Sequence, residues 1–185
     1  RVLLDNGIDV IEVTCRTPAA MDAMAALGRE LPDLLVGAGT VLTTEAVARV
    51  ADAGAKFMVA PGCNDDVVRA GLAAGLAVTP GVMTPSEIER AYGLGCTLLK
   101  FFPAGAAGGV PMLKALTGPY GHLGLRFIPT GGVNADNLAD YLALPCVAAV
   151  GGSWIVKRDL IADHNWDEIA RRIQAARQTC EARNK

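Results

Sequence analysis

The sequence predicts an α/β fold on a parallel sheet, closed into a (β/α)8 TIM barrel. Three observations carry this. Short β-branched runs alternate with Ala-rich helical stretches along the whole chain, and each such crossover returns the chain to start the next strand in the same direction. The strand runs are mostly apolar throughout, as strands covered on both faces are. Polar or Gly/Pro-bearing residues follow every strand: TCRT (14–17), GAGT (37–40), APG (60–62), TPG (79–81), KFFPAG (100–105), PTGG (129–132) and GGSW (151–154). The competing open, doubly wound sheet concentrates its functional loops at one switch point, whereas a barrel gathers all its strand ends into one ring.

In chain order, RVLLDNG (1–7) reads as the last turns of a helix ending at Gly7. Strands are predicted at 8–14, 34–39, 55–60, 76–79, 96–102, 125–129 and 146–151. Helices are predicted at 18–31, 44–54, 65–75, 85–95, 110–118 and 134–144, with Thr17, Thr43, Asn64, Thr84 and Asn134 as start signals. Gly54, Gly75, Gly95 and Gly118 are the matching stop signals. A more charged helix over 166–185 covers an outer surface. These are seven strands where a barrel needs eight, in a chain shorter than the roughly 200-residue lower end for this fold. The expectation is one barrel domain over 1–185, N-terminally incomplete, whose first strand precedes Arg1.

Composition narrows the function classes. Lys+Arg 17 against Asp+Glu 19 leaves a net charge of −2, with no basic field to hold nucleic acid. No apolar run approaches the roughly 18 residues of a membrane span. The five cysteines (15, 63, 96, 146, 180) are odd in number, scattered and never spaced C-x-x-C, which points to a reducing compartment, by default the cytoplasm. Met21, Met24 and Met112 on low-charge helical stretches suit either subunit contacts or core faces.

The chemistry concentrates at strand ends. Lys100 closes the apolar run CTLLKFF, where alternation puts Leu98, Lys100 and Phe102 on one face. If that face is interior, desolvation lowers the amine's pKa from about 10.4 and leaves a nucleophile able to attack a carbonyl. A lysine snorkelling its charge into solvent is the plainer reading of the same residue. Glu12 sits mid-strand in IDVIEVTCR and shares a face with Thr14 and Arg16. A buried Glu12 of raised pKa would move protons beneath an anion-holding Arg16, and a Glu12–Arg16 ion pair filling the interior is the alternative. Thr130-Gly131-Gly132 and Gly151-Gly152-Ser153 follow the last two strands and precede helices, where backbone N–H groups and helix N-termini can meet phosphate. His122 and His164 lie away from strand ends, so a His-based triad or a zinc cluster has few candidates, and the expected chemistry uses lysine without metal or cofactor.

Taken together, Glu12-Val13-Thr14-x-Arg16-Thr17, Gly37-Ala38-Gly39-Thr40-Val41-Leu42, Pro61-Gly62, Pro80-Gly81, Leu99-Lys100-Phe101-Phe102-Pro103-Ala104, Pro129-Thr130-Gly131-Gly132 and Gly151-Gly152-Ser153-Trp154 resemble the 2-keto-3-deoxy-6-phosphogluconate (KDPG)/4-hydroxy-2-oxoglutarate (KHG) aldolases. The resemblance covers nearly the whole chain in order. It implies a homotrimeric class I aldolase of the Entner-Doudoroff pathway, a carbon–carbon lyase giving pyruvate and glyceraldehyde 3-phosphate, with 4-hydroxy-2-oxoglutarate as a further substrate. Carried over by motif, Lys100 forms the Schiff base and Glu12 is the proton acceptor and donor. The implied substrate-binding residues are Arg16 and Thr40 for the carboxylate, Pro61, Phe102 on the keto acid, and Thr130, Gly131, Gly132, Gly151, Gly152 and Ser153 toward the phosphate. Gly105 stands where members of the family often carry an acid, which leaves aldehyde preference open. Two other functions compete: another phosphate-binding barrel enzyme acting on a sugar phosphate, which gives Lys100 no task, and a non-catalytic member of the family, which needs a damaged pocket.

Overall fold

The computed structural model describes residues 1–182. The chain forms two compact units, one of Asp9–Lys100 and one of Arg1–Ile8 with the chain from Phe101 on.

In the Asp9–Lys100 unit, strands β1 (Val10–Thr14), β2 (Leu35–Gly39), β3 (Phe57–Val59) and β4 (Ala77–Thr79) pair in that order, all parallel. The short β5 (Gly81–Val82) follows Pro80. The crossovers are α2 (Ala20–Glu30), α3 (Thr44–Asp52) and α4 (Asp65–Ala73), and α5 (Pro85–Gly93) leads to β6 (Leu98–Phe101). Register places Glu12, Gly37, Phe57 and Ala77 in one row across the sheet. Thr14, Gly39, Val59 and Thr79 form the row above it, toward the strand ends. Both rows share one face because side chains alternate along a strand. The opposite face carries Val36, Ala38, Met58 and Val78, all buried. The helices add Val47 and Val50 from α3 and Val67 and Val68 from α4 to this unit's core. Each such Val contributes roughly 1.5–3 kcal/mol by leaving water.

The local signals explain most element ends. Thr43 accepts from Ala46 N at 3.2 Å, and Asn64 accepts from Asp66 N and Val67 N. Thr84 and Glu87 form a full capping box at α5. Thr17 does not act as a cap: α2 begins at Ala20 behind Ala19, and Thr17 contributes its backbone carbonyl alone, to Ala20 N. Gly7, Gly54, Gly75 and Gly95 take positive φ just past helix ends, while Gly118 closes its helix in the right-handed region.

In the second unit, α1 (Val2–Asp5) packs on the long α9 (Trp166–Ala182), which also meets α7 (Leu138–Leu142) and α8 (Arg158–Ala162). The helix α6 (Gly109–Thr117) and strand β7 (Arg126–Pro129) complete it. Phe101, Leu113, Phe127, Leu138, Tyr141, Val147, Ile169 and Ile173 form its core. The strand expected over 146–151 is reduced to two isolated parallel bridges, Phe127↔Val147 and Thr130↔Gly151. Only Val147 in this run is buried; Ala148 and Ala149 are exposed and offer little area to hold a continuous strand. The helix expected from 134 starts at Leu138, because Asn134 Oδ1 instead caps the turn ahead of it, accepting from Asp136 N and Asn137 N. Met24 is 1% exposed and therefore core. No described helix is long and apolar enough to cross a membrane.

Candidate active site

Glu12 and Lys100 meet on the face of the Asp9–Lys100 unit that the helices leave uncovered. The Lys100 side chain is 8% exposed, and its Nζ lies 3.8 Å from Glu12 Oε1. Burial lowers the Lys100 pKa; the Glu12 carboxylate opposes that shift, and the Arg16 guanidinium adds to it. The backbone N–H of Lys100 donates to Pro80 O at 2.8 Å, which seats β6 beside the end of β4. The snorkelling reading of Lys100 is thereby excluded, since the amine is buried.

Glu12 departs from expectation in one respect. Its side chain is 31% exposed, not buried. Its own row explains this: the Phe57 ring fills the space over Gly37 next to Glu12, so the carboxylate is carried upward toward the strand ends. There it lies against Gly39, where a Cβ would fall onto Oε1 and within 2.6 Å of the carboxyl carbon. Glu12 pairs with Lys100, and not with Arg16 as the alternative reading had it. Exposed Arg16 donates from Nε to Thr14 Oγ1 at 3.3 Å, in a turn whose Cys15 N–H is fixed to Gly39 O at 2.8 Å.

Thr40, directly after β2, adopts φ 59°. A β-branched residue in the left-handed region costs of order 1–3 kcal/mol and persists only where its surroundings impose it. Here Val41, its neighbour, is fully buried and bonded to Val59 O. Pro61 is half-buried at the end of β3. It borders an apolar cavity of about 320 Å³ with Val41, Met58, Cys63, Val67 and Val78. That cavity includes the helix-side residues Met58 and Val78 and contains neither Glu12 nor Lys100, so it is not the place where these two groups meet.

The second unit holds the glycine-rich ends. Gly131 and Gly132 both have positive φ, 89° and 84°. The carbonyls of Thr130, Gly131 and Gly132 accept from Ala104 N at 2.8 Å, Gly105 N at 2.8 Å and Asn137 Nδ2 at 2.9 Å. Phe102 packs its ring against Gly131, where a Cβ would stand 3.2 Å from it. Gly151 bridges to Thr130, and the Trp154 ring lies directly over Gly152, in the space a Cβ would take. Ser153 is exposed. Neither Gly-Gly pair opens a helix as expected: α7 begins at Leu138 and α8 at Arg158, each only five residues long. Any anion here meets loop backbone, not a helix terminus.

The sequence profile of the KDPG and KHG aldolase family matches residues 1–172 of this chain. The 2-dehydro-3-deoxy-phosphogluconate aldolase of Haemophilus influenzae is 47% identical over 172 residues, covering 93% of this chain and 80% of that protein. The chain belongs to the KDPG and KHG aldolase family. A second relative, the KHG/KDPG aldolase of Escherichia coli K12, is 40% identical over 176 residues, covering 95% of this chain and 82% of its own. Among solved structures, the KDPG aldolase of Legionella pneumophila superposes with a TM-score of 0.90 at 45% identity, covering 95% of this chain and 84% of that one. That crystal structure holds pyruvate captured as a covalent carbinolamine. The fold is thus the TIM-barrel-like α/β fold of the KDPG aldolases.

For this KDPG/KHG aldolase family member, sequence reasoning missed Gly39 and Phe57 as shapers of the acid's position. Gly39 ends β2, where a glycine reads equally as the start of a turn, so its close approach to Glu12 was not marked. Nothing in the sequence marks Phe57, whose ring matters only through the register that sets it over Gly37.

Proposed function

We propose that the chain is a class I aldolase that cleaves 2-dehydro-3-deoxy-6-phosphogluconate to pyruvate and glyceraldehyde 3-phosphate, through a Schiff base on Lys100. The observation that carries this is the buried Lys100 amine 3.8 Å from the Glu12 carboxylate. Its lowered pKa favours the neutral amine, whose lone pair attacks the C2 carbonyl of the keto acid. The carbinolamine loses water to an iminium. Glu12 takes the proton of the C4 hydroxyl, the C3–C4 bond breaks, and its electron pair flows into the iminium to give an enamine and the free aldehyde. Glu12 then returns the proton to C3, and water hydrolyses the product iminium to pyruvate and restores the amine. Arg16 and Thr40 are assigned to the pyruvate carboxylate, Pro61 and Phe102 to the keto acid, and Thr130, Gly131, Gly132, Gly151, Gly152 and Ser153 to the phosphate. The positive φ of Gly131 and Gly132, with both carbonyls engaged, supports an anion site at their backbone, whereas the Thr130 and Gly151 N–H groups already donate to Phe101 O and Pro129 O.

The Lys100–Glu12 pair acts on the pyruvate half alone, so 4-hydroxy-2-oxoglutarate, which shares that half, is proposed as a second substrate. The proposal includes a cytoplasmic homotrimer. Five scattered cysteines with no C-x-x-C spacing suit a reducing compartment, and exposed Leu42, Met83 and Tyr92 are available for subunit contacts. Steady-state pyruvate release from the phosphorylated keto acid tests the reading. Wild type turns over, Lys100→Met abolishes turnover, and Glu12→Gln slows it about 10²- to 10⁴-fold. Full activity in Lys100→Met would refute the mechanism.

A further inference from the structure

The chain from Gly151 to Lys157 has no regular element of its own between the Thr130↔Gly151 bridge and the start of α8. Its first end is fixed by Gly151 N donating to Pro129 O at 2.9 Å. Three residues on, the Trp154 carbonyl accepts a 2.7 Å hydrogen bond from Nη1 of Arg172, a residue of α9 that is 18 positions away. Between these anchors lie exposed Gly152 and Ser153, with the Trp154 ring seated over Gly152. Arg172 is itself held. Its Nε donates to Glu168 Oε1 at 2.7 Å, and both side chains are only 24% exposed. Glu168 also accepts two hydrogen bonds from Arg171, at 2.6 and 2.8 Å, and its backbone N–H donates to Asn165 Oδ1 at 3.2 Å.

We infer that Arg172 is a positioning residue for phosphate binding: by pinning the Trp154 carbonyl from α9, it holds the Gly151–Ser153 backbone in its anion-receiving form. This rests on the phosphate assignment made above. Charge-assisted hydrogen bonds are the stronger kind, and an arginine already braced by a carboxylate loses little further freedom when it makes one. Loop backbone that receives an anion gains affinity by being ordered beforehand. Arg172 acts through this geometry, because its guanidinium joins the Glu168 carboxylate and the Trp154 carbonyl, each at 2.7 Å.

Kinetics on two substrates separate the possibilities: the phosphorylated keto acid and its unphosphorylated counterpart, with wild type, Arg172→Lys, Arg172→Ala and Glu168→Gln. The inference expects KM for the phosphorylated substrate to rise roughly tenfold in both Arg172 variants, the size of one lost charge-assisted hydrogen bond. It expects kcat, and KM for the unphosphorylated substrate, to change less than about twofold. Glu168→Gln is the sharper variant. It removes a negative charge, so a simple field effect would tighten phosphate binding, whereas loss of the brace weakens it. Three results would overturn the inference: rescue by Arg172→Lys, tighter binding by Glu168→Gln, or an equal fall in kcat on both substrates, which marks general loss of structure. Should Arg172→Ala fail to fold, as read by its melting curve, the other two variants decide. Absence of any preference for the phosphorylated substrate in wild type refutes the phosphate assignment itself, and the inference with it, before a variant is measured.

Discussion

The carboxylate of Glu12 occupies the space that a side chain on Gly39 would need. Residue 39 therefore sets where the acid sits relative to Lys100. In Gly39→Ala the new Cβ meets Oε1 and forces the carboxylate off the lysine. The expected result is a kcat lowered about 10²-fold, the scale of a displacement of about 1 Å in a reacting group. The fold should survive, because Glu12 is a side chain with room to turn toward solvent. A steady-state assay beside a circular dichroism melt checks both halves.

The buried amine has an opposite consequence for stability. Burial holds the Lys100 pKa in the folded chain below its unfolded value, with Glu12 offsetting part of the shift and Arg16 reinforcing it. Between those two pKa values the unfolded chain binds more protons, so this group's contribution to stability rises with pH through that interval. Below the unfolded pKa the buried amine opposes folding, because it must either lose its hydration while charged or give up its proton. Lys100→Met should remove the penalty and raise stability by about 1 kcal/mol, while Glu12 remains solvated. Denaturant melts at pH 7 and pH 9 test this: the variant's advantage should shrink at the higher pH.

The helix that leads to β6 gives a third prediction. Thr84 Oγ1 accepts from Glu87 N, and Glu87 Oε2 accepts from Met83 N and Thr84 N at 2.8 and 2.9 Å. Partial burial pushes the Glu87 pKa up, but these hydrogen bonds outweigh it and hold the carboxyl below its ordinary value. Its contribution is present above the unfolded pKa and is lost as pH falls through the folded one. Thr84→Ala should cost about 1 kcal/mol at pH 7. The cost should diminish in acid melts, once Glu87 is protonated in both proteins.

How much of this was legible in the sequence depends on the kind of signal. Thr43, Asn64 and Thr84 were readable because caps act within three residues. Lys100 and Glu12 were readable because a charge inside a strand run is conspicuous. The exposure of Glu12 was not, since it depends on Phe57 and Gly37 standing in one row, a fact of register between strands distant in sequence. The run 146–151 misled for a related reason. Its composition resembles a strand, but its alanines bury too little to make one. Thr17 carries the same Thr-Pro signal as Thr84, yet α2 begins only at Ala20.

The central claim is that Lys100 forms the covalent bond to the keto acid. Incubation with pyruvate, reduction with borohydride and mass spectrometry of the digested protein test it most directly. The account predicts one reduced pyruvate adduct, on Lys100, absent in Lys100→Met and still formed in part in Glu12→Gln. An adduct on another lysine, or none at all in an active preparation, would contradict it.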